Sequence, residues 1–257
     1  MRQASVGYHC PECVSQAAAR SPHVSAQRAL RRGGAPVTWA LIWVNVAVFL
    51  ASVVLDRGIS AAGVRNQFTM DWGLYPPLVG NGEWWRLITG GFLHAGVLHL
   101  GMNMFVLYSI GVILEPAIGK ARFLMAYAVS LVGGALGVVL LFDRGQGLTV
   151  GASGAIFGLF GLLVVYQLTR GLNPLQSGLG AIILLNLVFT FAIPGISVGG
   201  HVGGLVAGAL VGVVMFAGRR TQRQPAPELV GRIAAAGLLG VVMFVVALTQ
   251  AHALLVG

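Results

Sequence analysis

Charge is scarce in this chain. Only 9% of its 257 residues are Asp, Glu, Lys or Arg, against roughly 25% in an ordinary soluble domain. Hydrophobic residues make up 56%, more apolar surface than a soluble protein of this length could hide. The shortage of charge therefore excludes a soluble globular domain and makes a bilayer the solvent. Cysteine is scarce as well: Cys10 and Cys13 are the only two, and both precede the first apolar run. A disulfide framework is excluded as the organising principle. No secretory leader fits the N-terminus, because the first apolar run starts near Val37, too far in and too long to be a cleaved one.

Long apolar runs are what the chain has. Seven can be read, at 37–55, 92–114, 123–142, 150–169, 178–193, 198–218 and 229–256, each near the ~20 residues that cross a bilayer. The expected fold is an all-α integral membrane bundle. The longest connection, 56–91, carries Asp71-Trp72-Gly73-Leu74-Tyr75-Pro76-Pro77 and Glu83-Trp84-Trp85-Arg86, an aromatic density that suits the membrane interface.

The formal charge of +9 comes with a biased placement. Arg2, Arg20, Arg28, Arg31, Arg32, Lys120, Arg122, Arg170, Arg219, Arg220, Arg223 and Arg232 fall on one side of the seven spans. Arg57, Arg65, Arg86 and Arg144 fall on the other. The positive-inside rule then puts the N-terminus in the cytoplasm and the C-terminus outside. The basic excess reads as a topology signal with some attraction to anionic lipid, and no nucleic-acid partner is expected.

No Lys, Arg, Asp or Glu is expected deep in any span. The notable polar residues left there are His99 and Asn103 in the second span, Ser153 in the fourth and His201 in the sixth. Polar groups in hydrocarbon are costly and face a bundle interior or a cavity. In the orientation above, the second, fourth and sixth spans all run from outside to inside. His99 then lies about two turns in, and Ser153 and His201 about one turn in. All four side chains reach the outer leaflet at comparable depth, and His99 and Asn103 share one helix face. Gly154 and Gly158 form a small-xxx-small pair after Ser153, and Gly204 and Gly208 follow His201 at helical spacing. Such faces let helix backbones touch, close enough for a Ser153 hydroxyl to reach a His201 nitrogen. Taken singly, a serine among glycines is more often packing glue, and one intramembrane histidine is often structural or part of an ion path. The joint placement is what points to chemistry.

These residues resemble the rhomboid family of intramembrane serine proteases. Trp85-Arg86, then His99-Leu100-Gly101-Met102-Asn103, are similar to its WR and HxxxN motifs; Glu115, Gly119, Phe123 and Tyr127 continue the pattern. Gly151-Ala152-Ser153-Gly154 resembles the GxSG nucleophile motif, and His201 with Gly204 and Gly208 resembles the sixth-span histidine motif. Phe157 stands where some members carry a tyrosine stacked on the catalytic histidine. The resemblance implies a six-helix protease core over residues 37–218. A linker and a seventh C-terminal helix would occupy 219–257, with His252 at the outer interface. His94, near the mouth of the second span, reads as structural or substrate-facing.

On that resemblance Ser153 is the nucleophile and His201 the general base, a dyad without an orienting carboxylate. The Ser153 backbone N–H, His99 and Asn103 are the oxyanion donors. No cofactor is implied for catalysis, and the partners are transmembrane segments of other proteins, cut near their outer ends. Two other readings stay open: a non-proteolytic rhomboid-like binder of transmembrane segments, and a transporter lined by His99 and His201. Pseudoenzymes usually lack the serine or the histidine, and no internal repeat of the transporter kind is visible.

One motif stands apart. His9-Cys10-Pro11-Glu12-Cys13 is a C-x₂-C knuckle, which reads equally as half of a structural zinc site or as a chance pair. Only His9 and His23 are left to complete four ligands. The stretch resembles the end of a zinc-ribbon-like module that precedes some actinobacterial rhomboids, which would make Met1 an internal residue of a longer protein. Residues 1–36 are thus expected to be a cytoplasmic segment, Arg-rich and flexible over 21–36.

Overall fold

In hydrocarbon every backbone N–H and C=O must be satisfied within the chain, so apolar runs of this length become helices. The computed structural model describes residues 2–3, 8–10, 34–55, 67–142, 147–176, 178–216 and 226–256. Two short strands, β1 (Arg2–Gln3) and β2 (Tyr8–His9), pair antiparallel. The helices that follow are α1 (Pro36–Leu55), α2 (Gln67–Trp72), α3 (Pro76–Gly80) and α4 (Arg86–Thr89). A 3-10 turn at Gly90–Phe92 leads to α5 (Val97–Ile118), α6 (Lys120–Leu140) and α7 (Ser153–Thr169). The last three are α8 (Leu179–Ala192), α9 (Val198–Phe216) and α10 (Ala226–Val256).

An apolar helix occupies each of the seven expected positions. Helices α1, α5, α6, α9 and α10 are long and apolar enough to cross a membrane. Helices α7 and α8 are apolar but have only 17 and 14 residues, about 25 and 21 Å, short of the ~30 Å hydrocarbon core. For α7 the reason is visible. Its first residue is Ser153, and the six residues before it run without helix between the other elements. Non-helical backbone at membrane depth is tolerated where protein or a wet cavity surrounds it.

Helix α7 is the centre of the bundle, packed on α9, α6 and α5, and Ala155 to Leu162 are buried without interruption. The packing is set by glycine. A Cβ on Gly204 or Gly208 of α9 would strike the carbonyl of Gly154 or Gly158 of α7. The expected close pairing of these two helices is present. A second glycine seam, absent from the sequence reading, joins α6 to α9: a Cβ on Gly137 would meet the Gly199 carbonyl, and one on Gly199 the Gly137 carbonyl. Helix α10 lies along α6 and across α3, burying Ala236, Met243, Ala247 and Ala251. Helix α8 touches the rest mainly at α9.

The bounds of the second span need correction. The second span does not begin at 92. Gly90–Phe92 makes the 3-10 turn, Leu93 is extended (φ −86°, ψ 153°) and the helix starts at Val97. His99 therefore sits in the first turn of α5 rather than two turns in. The same span also ends later than 114, which takes an acid into its last turn. Glu115 lies within α5 and is 1% exposed. Its carboxylate accepts from the Val37 N–H (3.0 Å), the Thr38 N–H (2.8 Å) and the Thr38 hydroxyl (2.8 Å). It thus satisfies donors that the first turn of α1 cannot satisfy itself, at the positive end of that helix's dipole. The chain reverses directly afterwards at Gly119, whose φ of +90° favours glycine.

Residues 67–96, ahead of α5, form a framed structure. The Arg86 guanidinium is buried in it, donating to the carbonyls of Met70 (2.8 Å) and Gly73 (2.7 Å) and to the Glu83 carboxylate (2.6 Å). Leu74 bridges to Thr149, and the Gly151 N–H donates to the Gly90 carbonyl at 3.0 Å. The loop thereby holds the strand-like segment that delivers Ser153.

Candidate active site

Ser153, His201 and His99 each stand in the first turn of a helix: α7, α9 and α5. The glycine contact between α7 and α9 brings the first two together, and the Ser153 Oγ lies 2.8 Å from the His201 Nε2. Forty-eight positions of chain separate them. The Phe157 ring, one turn along α7 from Ser153, stacks on the His201 imidazole at 4.0 Å and 15°. This fixes the plane of the ring.

The other imidazole nitrogen is also engaged. His201 Nδ1 is 2.7 Å from the Thr190 hydroxyl of α8. Sequence reasoning missed Thr190. A signal was there, because Asn186 and Thr190 are polar residues four apart in the fifth span, the same spacing that singled out His99 and Asn103.

His99 approaches from α5. Its Nδ1 accepts the Ala95 N–H at 3.2 Å, so the proton of the neutral ring belongs on Nε2. That Nε2 borders Gly151, where a Cβ would come within 2.9 Å of it and 3.6 Å of the Ser153 Oγ. Gly151 has φ +126°, so both the backbone conformation and the space require glycine. Asn103 is buried one turn below, with its amide donating to the His99 carbonyl at 2.9 Å and a second amide hydrogen remaining. Ser153 opens α7, and the first N–H groups of a helix have no partner within it. A hydroxyl next to an imidazole acceptor, facing several N–H donors, is an arrangement suited to acyl transfer.

All four expected residues line one cavity of about 850 Å³. Among the described lining residues none is Asp or Glu. His94 is buried, edge-on to His99 at 5.2 Å between ring centres, outside the cavity lining. His252 is outside the cavity lining, its Nδ1 3.4 Å from the Gly80 carbonyl, where it ties the end of α10 to α3. Cys10 is exposed just after β2. Cys13 and His23, which the zinc reading also needs, lie outside the described residues, as do Arg28, Arg31 and Arg32 of the expected linker.

Comparison with known proteins agrees with this architecture. Residues 81–218 match the family model described as Rhomboid domain. "Rhomboid protease GluP" of Bacillus subtilis is 40% identical over 134 residues, covering 51% of this chain and 26% of that protein. "Putative rhomboid protease YdcA" of the same organism is 48% identical over 92 residues, or 36% of this chain and 46% of YdcA. "Rhomboid-like protease 3" of Toxoplasma gondii is 30% identical over 200 residues, 74% of each chain. The chain spans about half the length, or less, of several of the curated relatives it matches.

Proposed function

The chain belongs to the rhomboid family, and on that footing we propose that it is an intramembrane serine endopeptidase acting through a Ser153–His201 dyad. The observation that carries the reading is the 2.8 Å contact between the Ser153 Oγ and the His201 Nε2, in a cavity shared with His99 and Asn103.

In the reaction, the Ser153 hydroxyl gives its proton to His201 Nε2 as its oxygen attacks the scissile carbonyl. The resulting oxyanion accepts from the Ser153 N–H, the His99 Nε2–H and the free Asn103 amide hydrogen. Collapse breaks the C–N bond, and the His201 imidazolium protonates the leaving amine. Water then attacks the acyl-enzyme, again losing its proton to His201, and the acid leaves as Ser153 recovers its hydrogen. Groups of the chain carry every proton, so the reading calls for no cofactor. The protease core is residues 37–218, with 219–257 appended.

The substrates are transmembrane segments. An intact helix buries its carbonyls in hydrogen bonds, so segments with Gly, Pro or small residues near one end are cut there. The placement of Lys120, Arg122, Arg170 and Arg232 at the end of the bundle away from Ser153 supports a cytoplasmic N-terminus and an outward-facing site. Ser153→Ala and His201→Ala should each abolish cleavage of such a segment by purified protein while leaving expression intact. A serine-directed covalent probe should label the wild type and not Ser153→Ala. Cleavage that persists in Ser153→Ala would overturn the assignment.

A further inference from the structure

The geometry points to Thr190 as the positioning residue of His201: its hydroxyl accepts the Nδ1–H and so holds the imidazole in the tautomer whose Nε2 can take the Ser153 proton. This inference rests on the protease reading for its consequence, but not for its geometry.

Three observations carry it. The first is burial. Among the described residues of α8, Thr190 alone is buried, at 2% exposure, while Leu184, Val188, Phe189 and Phe191 around it are exposed. A helix that turns most of its surface outward turns this hydroxyl inward. The second is distance, 2.7 Å from Thr190 Oγ1 to His201 Nδ1. The third concerns the single proton a threonine hydroxyl has to give. The same Oγ1 lies 2.7 Å from the Asn186 carbonyl, which can only accept. When that carbonyl takes the hydroxyl proton, the oxygen faces Nδ1 with a lone pair. The imidazole must then carry its proton on Nδ1, leaving Nε2 bare toward Ser153.

The opposite arrangement is inactive. A Thr190 proton donated to Nδ1 would put the ring hydrogen on Nε2, where it points at the Ser153 oxygen and cannot receive a proton from it. In serine hydrolases with a triad, a carboxylate settles this choice. Here the described lining residues include none, and a neutral hydroxyl, itself anchored to the i−4 carbonyl, takes its place. It orients the ring and gives the imidazolium formed during attack an acceptor for Nδ1–H. A neutral oxygen is a weaker partner than a carboxylate.

The test compares Thr190→Val, which keeps the shape and removes the hydroxyl, with Thr190→Ser, which keeps the hydroxyl. Thr190→Val should lower kcat about 10- to 100-fold, by analogy with the range found when the outer partner of a metal-bound histidine is removed, with KM within about two-fold. Thr190→Ser should recover most of that loss. A second readout does not depend on activity. In protein carrying ¹⁵N-histidine, with His201 identified by the signal lost in His201→Gln, the wild type should show an unprotonated Nε2 and a protonated Nδ1. Thr190→Val should shift that ring toward a mixture of tautomers, and Thr190→Ser should not. Wild-type kcat together with an unchanged tautomer in Thr190→Val overturns the inference, as does a Thr190→Ser protein as impaired as Thr190→Val. Failure of the protease reading shows differently: Ser153→Ala would still cleave, while the tautomer shift in Thr190→Val would still report on Thr190.

Discussion

Helices α7 and α8 both reach His201, and they do so in opposite ways. Helix α7 is buried from Ala155 to Leu162 and meets α9 backbone to backbone, with Gly154 and Gly158 under Gly204 and Gly208. Helix α8 is largely exposed, and among its described residues one side chain is buried, Thr190. One half of the site is thus set by close packing that leaves no room for a methyl group. The other half is held by a hydrogen bond. Close packing is rigid and unforgiving of volume, whereas a single polar contact is worth only about 0.5–1.5 kcal/mol net. Substitutions in the two regions should therefore fail differently: those at the α7–α9 seam lose the fold, and those on α8 lose rate or nothing.

The sharpest way to break this contrast is Gly208→Val. Its side chain has to enter the Gly158 carbonyl, and we expect a loss of more than about 3 kcal/mol of stability. Folded protein and cleavage should disappear together, as read by thermal unfolding in detergent and by substrate turnover. Wild-type melting would show that the seam is looser than described. Glu115→Ala comes next. It strips three acceptor contacts from Val37 and Thr38 and should cost about 2 kcal/mol. Glu115→Gln, which keeps the shape and one acceptor oxygen, should fall between it and the wild type in the same melt.

Phe157→Leu probes the border between the two regimes. The stacked ring at 4.0 Å contributes about 1 kcal/mol, so kcat should drop about five-fold with little change in melting temperature. An equal loss of stability would make Phe157 a packing residue only. The smallest effect belongs to α8. Leu184, 63% exposed, should tolerate alanine within about 0.5 kcal/mol and with unchanged turnover. A large loss there would mean that Leu184 itself packs against the bundle.

Much of the site was legible because the membrane makes polarity rare. His99, Asn103, Ser153 and His201 stand out where the alternatives are Leu, Val and Gly, and the positive-inside count put them at one depth. That reasoning erred over His99, whose helix starts five residues later than the apolar run, because Phe92 and Leu93 are apolar without being helical. Hydropathy reports where a chain can be buried and not how it is folded there. The capping role of Glu115 escaped for a related reason: its position at the edge of an apolar run hid the fact that the helix continues to Ile118. Thr190 escaped because a hydroxyl in a helix ordinarily bonds its own i−4 carbonyl, and it does so here as well.

Composition and the length of the apolar runs alone determined that the chain lives in a bilayer as a helical bundle, because no other backbone arrangement built from such runs satisfies its hydrogen bonds in lipid. The glycine spacing determined which faces could touch. Which faces do touch was decided only in three dimensions. The seam between α6 and α9 and the capping of α1 by Glu115 join groups more than sixty positions apart, and the contact of Thr190 with His201 joins two consecutive helices. Each depends on relative helix rotation and depth, quantities to which hydropathy and spacing are blind.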